Sequence, residues 1–209
     1  IVGGGIPIGT GLALASMLKG EDRVSVVFFG DGAADEGVLY ESANFAMLKR
    51  LPVIYIYENN QYSVCSHISA RQAGELVFHS VPRRLMATSI VDGNNVLDVY
   101  AAARKAVKMA RDGRGPSLVE CRTYRVRGHA GSGSDEKLGY RSAEEIRAWE
   151  AKCPVSRLQA KLLDDCVIGR GEMLEMERRI DDEIDEAFRF AQQSPLPAAE
   201  DLERYLFSE

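Results

Sequence analysis

Two nearly unbroken apolar runs, Val24 to Phe29 (VSVVFF) and Val53 to Tyr57 (VIYIY), each stop at a polar cluster, Gly30-Asp31-Gly32 and Glu58-Asn59-Asn60. Short runs of β-branched and aromatic residues without polar alternation are expected of strands buried on both faces. Between them, Glu36 to Leu48 sets Leu39, Ala43 and Met47 on one helical face. Strand, helix and strand in so short a span is a parallel pair joined by a crossover. The pattern recurs as a strand at Ser89 to Val91, an Ala-rich helix from Val96 to Arg111, and a strand from Ser117 to Tyr124. The expected fold class is α/β, a doubly wound parallel sheet. Such sheets bind ligands beyond the carboxyl ends of their strands, and the GDG, ENN and Gly128-His129 clusters all fall there.

The flanks differ in character. Pro7 can occupy the first turn of a helix, Ile8 to Leu18 continues it, and Gly20 stops it. After Gly131 a polar loop, Gly131 to Gly139, gives way to helical segments. Ser142 with Glu145 forms a capping box that opens a helix through Trp149. Pro154 to Leu163 is a second helix and Glu172 to Gln193 a third, striped with Met173, Met176, Ile180, Ile184, Ala187 and Ala191. Such a stripe is a core face or a subunit-facing one. The expected organisation is an α/β domain over residues 1–140 and a C-terminal helical extension over 141–209.

Charge and composition exclude some classes. The net charge is −5, with no basic stripe to suit nucleic acid. The acids concentrate from Glu172 onward, twelve against four Arg, as a solvated helical face would have them. No apolar run reaches the roughly 20 residues of a membrane span. The apolar opening lacks the basic region of a signal peptide and is broken by Gly and Pro. Cys65, Cys121, Cys153 and Cys166 have neither pairing nor metal-ligand spacing, which suits reduced thiols in a cytoplasm-like compartment.

Asp31 follows a buried strand between two glycines, where a ligand can approach the backbone closely. Ala33 and Ala34 keep the volume small before a helix opens near Asp35 or Glu36, and a helix N-terminus suits an anion. Asn60 lies 29 residues beyond Asp31 at the end of the next strand, so a parallel pair brings both to one edge. One carboxylate, one amide oxygen and a backbone carbonyl suit Mg²⁺, completed by phosphate oxygens and water. Taken alone, GDG favours the reading in which Asp31 caps the helix that follows; the second cluster, ENN, is what points to a site.

The segment GDGAADEGVLYESANFAMLKRLPVIYIYENNQYS resembles the thiamine-diphosphate motif of the α-subunits of decarboxylating 2-oxo acid dehydrogenases. The resemblance extends to IVGGGIPIGTGLALA, VDGNNV, TYRVRGH, YRSAEEI, SPLP and the acidic last helix, essentially the whole chain. It implies thiamine diphosphate and Mg²⁺ as cofactors. Asp31 and Asn60 coordinate the metal by side chain and Tyr62 by its carbonyl. Gly30, Gly32, Ala33 and Ala34 line the diphosphate, and Val2 meets the aminopyrimidine through its backbone. His129 is the implied catalytic residue, beside the diphosphate and the substrate mouth. A histidine after a strand is otherwise often only a hydrogen-bonded surface residue, and His67 and His79 are read as structural. Arg125 is a candidate support for the His129 loop, and Glu58 for Asn60.

The implied activity is oxidative decarboxylation of a 2-oxo acid, pyruvate first, with acyl transfer to a lipoyl arm. Acetoin and branched-chain enzymes are the alternatives, as are a transketolase-like or decarboxylase relative and a truncated, non-catalytic assembly subunit. The implied partners are a β-subunit, in an α₂β₂ heterotetramer, and a lipoyl acyltransferase. The β-subunit supplies the glutamate for the pyrimidine, for which no candidate is evident in this chain. The expected compartment is the cytoplasm, with the mitochondrial matrix as the alternative. The family pattern also has over a hundred further residues ahead of this segment, including a Tyr-Arg pair that grips the diphosphate. Ala130 stands where mammalian relatives carry a regulated serine, so kinase control is not expected there.

Overall fold

The computed structural model describes residues 2–74, 85–131 and 133–204; His79 lies outside them. A 3₁₀ turn, Val2–Gly4, leads into helix α1, Gly5–Leu18. Strand β1, Ser25–Gly30, is followed by a single helical turn, α2, Asp31–Ala34, and by helix α3, Gly37–Lys49. Strand β2 is Val53–Asn59, and β3, Tyr62–Ser63, pairs antiparallel with β4, Ser66–His67. Then come β5, Ala87–Asp92, helix α4, Val96–Arg111, and β6, Ser117–Arg122. Helices α5, Ala143–Glu150, α6, Pro154–Asp164, and α7, Arg170–Gln193, complete the order.

The four long strands lie in the order β1-β2-β6-β5, all parallel. On one face Ile6 and Ala13 of α1 and Leu39, Ala43 and Ala46 of α3 pack on Val27, Phe29, Val53, Tyr55 and Tyr57. On the other, Ala106, Val99, Ala102 and Val107 of α4 cover Ile54, Ile56, Val119 and Cys121. Helices on both faces bear out the doubly wound sheet. Helix α1 sits especially close, because a Cβ on Gly9 would overlap the Val27 side chain. Thr10 Oγ1 reaches the buried Tyr55 hydroxyl at 2.7 Å, and Ser25 Oγ donates to the Gly9 carbonyl at 2.7 Å.

Two expectations need correction. Burial on both faces holds for β2 but not for β1, where Val26 and Phe28 are exposed. Strand β1 ends the described sheet, and α4 lies over β2 and β6 instead. Strand β6 stops at Arg122, two residues short of Tyr124. Thr123 N–H still finds the Asn59 carbonyl at 3.0 Å, but β2 ends there and offers nothing beyond.

The chain divides into two compact units, residues 1–158 and 159–209. In the second, Gln159 of α6 donates to Glu177 of α7 at 3.1 Å. Along the expected stripe of α7, Met176, Ile180 and Ile184 are exposed rather than buried in a core of the described residues of this unit.

Candidate functional site

Parallel pairing brings the strand ends level. Gly30 pairs with Glu58 and Glu58 with Cys121, while Asn59 and Asp92 both pair with Arg122. The GDG, ENN, VDGNN and TYRVRGH segments therefore leave the sheet along one edge.

Asp31 is the most deeply buried acid of this edge, 1% exposed, at the start of α2 behind the extended residue Gly30. The expected cap on the next helix is not its role, because α3 begins at Gly37 with Glu36 at its N-cap. Its carboxylate meets the guanidinium of Arg71, which also pairs with Asp35. Burial pushes the Asp31 carboxyl above its ordinary range, with the Arg71 charge opposing. Gly32 lies flat against Ser63: a Cβ there would stand 2.9 Å from the Ser63 Cβ. The missing side chain is what lets the turn carrying Asp31 touch the strand carrying Tyr62. Ala33 and Ala34 direct their methyls into the core, so only their backbone is available to a ligand.

Beyond β2 two asparagines shape the turn. Asn59 Oδ1 accepts from Gln61 N–H at 3.2 Å while its Nδ2 donates to the buried Glu120 at 2.9 Å. Asn60 Oδ1 accepts from Tyr62 N–H at 3.0 Å, leaving a second lone pair. Gln61 and Val64 adopt left-handed backbone angles, φ 69° and 54°, a conformation uncommon outside glycine. Tyr62 is anchored by its ring, edge-on to Tyr124 and Tyr140, and by its hydroxyl, which donates to Glu145 at 3.2 Å. Burial and the Glu145 charge push that phenol up to about 12. Only the main chain of Tyr62 is thus left for a ligand. Glu58, proposed as support for Asn60, is exposed; Asn59 makes the inward contact.

The loop after β6 is braced from two sides. Arg125 donates to the Val64 carbonyl at 2.7 Å and to the Tyr140 hydroxyl at 3.1 Å. Arg141, its side chain 1% exposed, pairs with Asp135 and donates to the carbonyls of Arg125, Val126 and Arg127. Its guanidinium also lies 5.2 Å from the centre of the Tyr124 ring. Gly128 N–H donates to the Gly133 carbonyl at 2.8 Å. Between these ties His129 is exposed, with no hydrogen-bond or ion-pair partner among the described residues. At the amino end, the turn carrying the exposed Val2 packs beside α3, with Gly3 against Glu36 and Val38.

Among the described residues no cluster of three or more His, Cys, Asp or Glu side chains could hold a metal. The set at this edge is of another kind: a carboxylate, an amide oxygen and a carbonyl, all hard donors. A buried carboxylate that already requires a cation beside it fits Mg²⁺, with phosphate and water supplying the remaining ligands.

Residues 1–200 match the family described as the dehydrogenase E1 component. The chain belongs to the dehydrogenase E1 family. It is 36% identical to the pyruvate dehydrogenase E1 component subunit alpha of Porphyra purpurea, over 98% of this chain and 61% of that protein. It is 37% identical to the protein of that name from Rhizobium meliloti, over 97% and 58%. With the human mitochondrial somatic form the identity is 35%, over 100% and 53%. The chain thus spans roughly half to three-fifths of the length of these relatives. The resemblance to α-subunits of 2-oxo acid dehydrogenases is borne out.

Several residues of this E1 chain's edge left little trace in the sequence. Arg71 follows a 3₁₀ turn, Ile68–Ala70, whose start His67 caps by accepting from Ser69 N–H at 3.2 Å. Nothing local marks it as the partner of an aspartate 40 residues earlier. Arg141 precedes a helix cap, where an arginine is usually solvated, and Glu145 was expected to close a capping box. Ser142 Oγ does accept from Glu145 N–H at 3.0 Å, but the Glu145 carboxylate turns to Tyr62. Among the described residues no helix is long and apolar enough to cross a membrane.

Proposed function

We propose that this chain is the cofactor-binding part of the α-subunit of a pyruvate dehydrogenase E1 component, acting with a β-subunit on Mg²⁺-thiamine diphosphate. One observation carries the reading: Asp31, sealed at the strand edge beside a cation, with Gly32 fitting its turn against the Tyr62–Ser63 strand. Asp31 and Asn60 hold Mg²⁺ by side chain and Tyr62 by its carbonyl. The backbone of Gly30, Gly32, Ala33 and Ala34 lies along the diphosphate, and Val2 meets the aminopyrimidine through its main chain. When bound, thiamine diphosphate supplies the carbon nucleophile and the electron sink for loss of CO₂. The protein's part is to orient and exclude water, and His129 stands at the substrate mouth on a loop braced by Arg125 and Arg141. The acyl group then passes to the lipoyl arm of a separate acyltransferase.

The names of the relatives favour pyruvate over branched-chain acids or acetoin. Helix α1 favours the β-subunit, since Ile8 and Leu12 are 66% and 60% exposed on a helix whose other side is already buried in the core. Exposed apolar side chains grouped in this way suit a subunit contact. Calorimetric titration of thiamine diphosphate with Mg²⁺, into the chain alone and with its co-expressed β-subunit, tests the proposal. Saturable, metal-dependent binding to the pair, followed by turnover of pyruvate, is expected. No binding in either case overturns it.

A further inference from the structure

The guanidinium of Arg71, whose side chain is 16% exposed, is directed at the one carboxylate that the proposed metal site requires. Its Nη2 pairs with Asp31 Oδ2 and its Nη1 with Asp35 Oδ2, while Nε donates to the Ser66 carbonyl at 3.3 Å. Nη1 also lies 3.4 Å from the Asp31 carbonyl. The second oxygen of Asp35 is held by Gln72 Nε2 at 2.6 Å. Asp35 is therefore an anchor that keeps the guanidinium at the site even when it leaves Asp31.

Two facts of charge follow. Asp31 is too deeply buried to be left as a bare anion, and without metal the Arg71 guanidinium supplies the counter-charge. A divalent ion on the same carboxylate would stand within a few ångström of the guanidinium, and the two cations repel. The fork shape of arginine is what allows one side chain to span both aspartates; a lysine presents a single ammonium. Resting on the Mg²⁺ site proposed above, we propose that Arg71 is a resident counter-ion of Asp31 that the divalent metal must displace, with Asp35 retaining the guanidinium after the exchange. Arg71 thereby sets the metal affinity of the site and keeps the metal-free edge folded.

The full chain, with its β-subunit and thiamine diphosphate, is titrated with Mn²⁺ and free ion is followed by electron paramagnetic resonance. Arg71→Gln should bind Mn²⁺ at least tenfold more tightly than the wild type and melt earlier without metal, the difference in Tm closing as metal is added. Arg71→Lys, which keeps charge but cannot span both carboxylates, should fall between them and guards against a Gln variant that fails to fold. Equal or weaker Mn²⁺ binding in the variants, with normal binding in the wild type, overturns the exchange alone. Absence of Mn²⁺ binding in all three overturns the metal site itself, and the exchange with it.

Discussion

Arg125 donates a 2.7 Å hydrogen bond to the carbonyl of Val64, so the loop that carries His129 is fastened to the turn that follows Asn60. The two halves of the candidate site, one from β2 and one from β6, are coupled by that side chain and by the Tyr62–Tyr124 ring contact as well as by the sheet. Replacing it with methionine keeps the length but removes the donor. A charge-assisted bond of this kind is worth about 1.5 kcal/mol or more, roughly tenfold in a local opening equilibrium. Hydrogen exchange over residues 126–131 should accelerate by about that factor while the sheet stays protected. An unchanged exchange rate would show that Arg141 alone holds the loop.

His129 itself should behave differently. It is exposed and has no hydrogen-bond or ion-pair partner among the described residues. In the assembled enzyme His129→Ala should lower kcat by an order of magnitude or more at an unchanged Tm. A normal rate would leave it an ordinary surface histidine.

The contact between Gly32 and Ser63 gives a reversible test. Gly32→Ala places a methyl 2.9 Å from the Ser63 Cβ, which rotation of the hydroxyl cannot relieve. Overpacking of this sort costs about 1–3 kcal/mol and moves the Asp31 turn off the Tyr62 strand. Cofactor affinity should fall at least tenfold, and Ser63→Gly in the same chain should restore most of it. If the double variant binds no better than Gly32→Ala, the separation of the two segments is not what matters.

Arg141 and Asp135 form the buried ion pair of the loop, with side chains 1% and 8% exposed. Burial acts to raise the Asp135 carboxyl, but hydrogen bonds from Tyr140 and Arg141 outweigh it and hold the group below its usual range. Arg141→Met leaves that carboxylate to the Tyr140 hydroxyl and the more distant Arg125, and takes the donor from three carbonyls. The loss should be about 3 kcal/mol or more, seen as a lower denaturant midpoint. Adding Asp135→Asn should recover part of it, since the uncompensated charge is then gone; no recovery would place the cost in the carbonyls.

A pH effect is expected at the other end of the edge. Arg157 donates to Asp92 at 2.8 Å, and this bond holds the Asp92 carboxyl below its ordinary value. A depressed carboxyl stabilises the fold above its unfolded pKa, about 3.9, and the contribution is lost as pH falls through the lower, folded value. Both side chains are nearly half exposed, so solvent screens the pair to about 0.5 kcal/mol. A double-mutant cycle between Asp92→Asn and Arg157→Met should give that coupling at pH 7 and none near pH 2. Coupling that persists in acid would show that it does not depend on the Asp92 charge, and the pH dependence assigned to this pair would be wrong.

What could be anticipated from the sequence divides along the range of the forces involved. VIYIY announces a central strand because burial on both faces removes every reason for a polar residue, while ENN marks its own end and GDG that of its neighbour because strand termini must turn. Strand β1 was overestimated for the same reason: Val26 and Phe28 look like core residues, and only the sheet order reveals that α4 does not reach them. Arg71 and Arg141 stayed hidden because their meaning lies in partners distant along the chain. A single charged residue carries no periodicity to betray it. Gly32 showed as a ligand-friendly glycine, whereas its closest neighbour proved to be Ser63.

The two sides of helix α1 answer to different constraints. Ile6, Gly9, Thr10 and Ala13 are locked by the sheet beneath them, down to a glycine that tolerates no side chain. Ile8 and Leu12 face outward among the described residues. If the proposed β-subunit covers that side, then in a lineage without it these outward positions would be released to drift toward polar residues while the inward four stayed fixed. One short helix would then record, residue by residue, which bearers still depend on assembly.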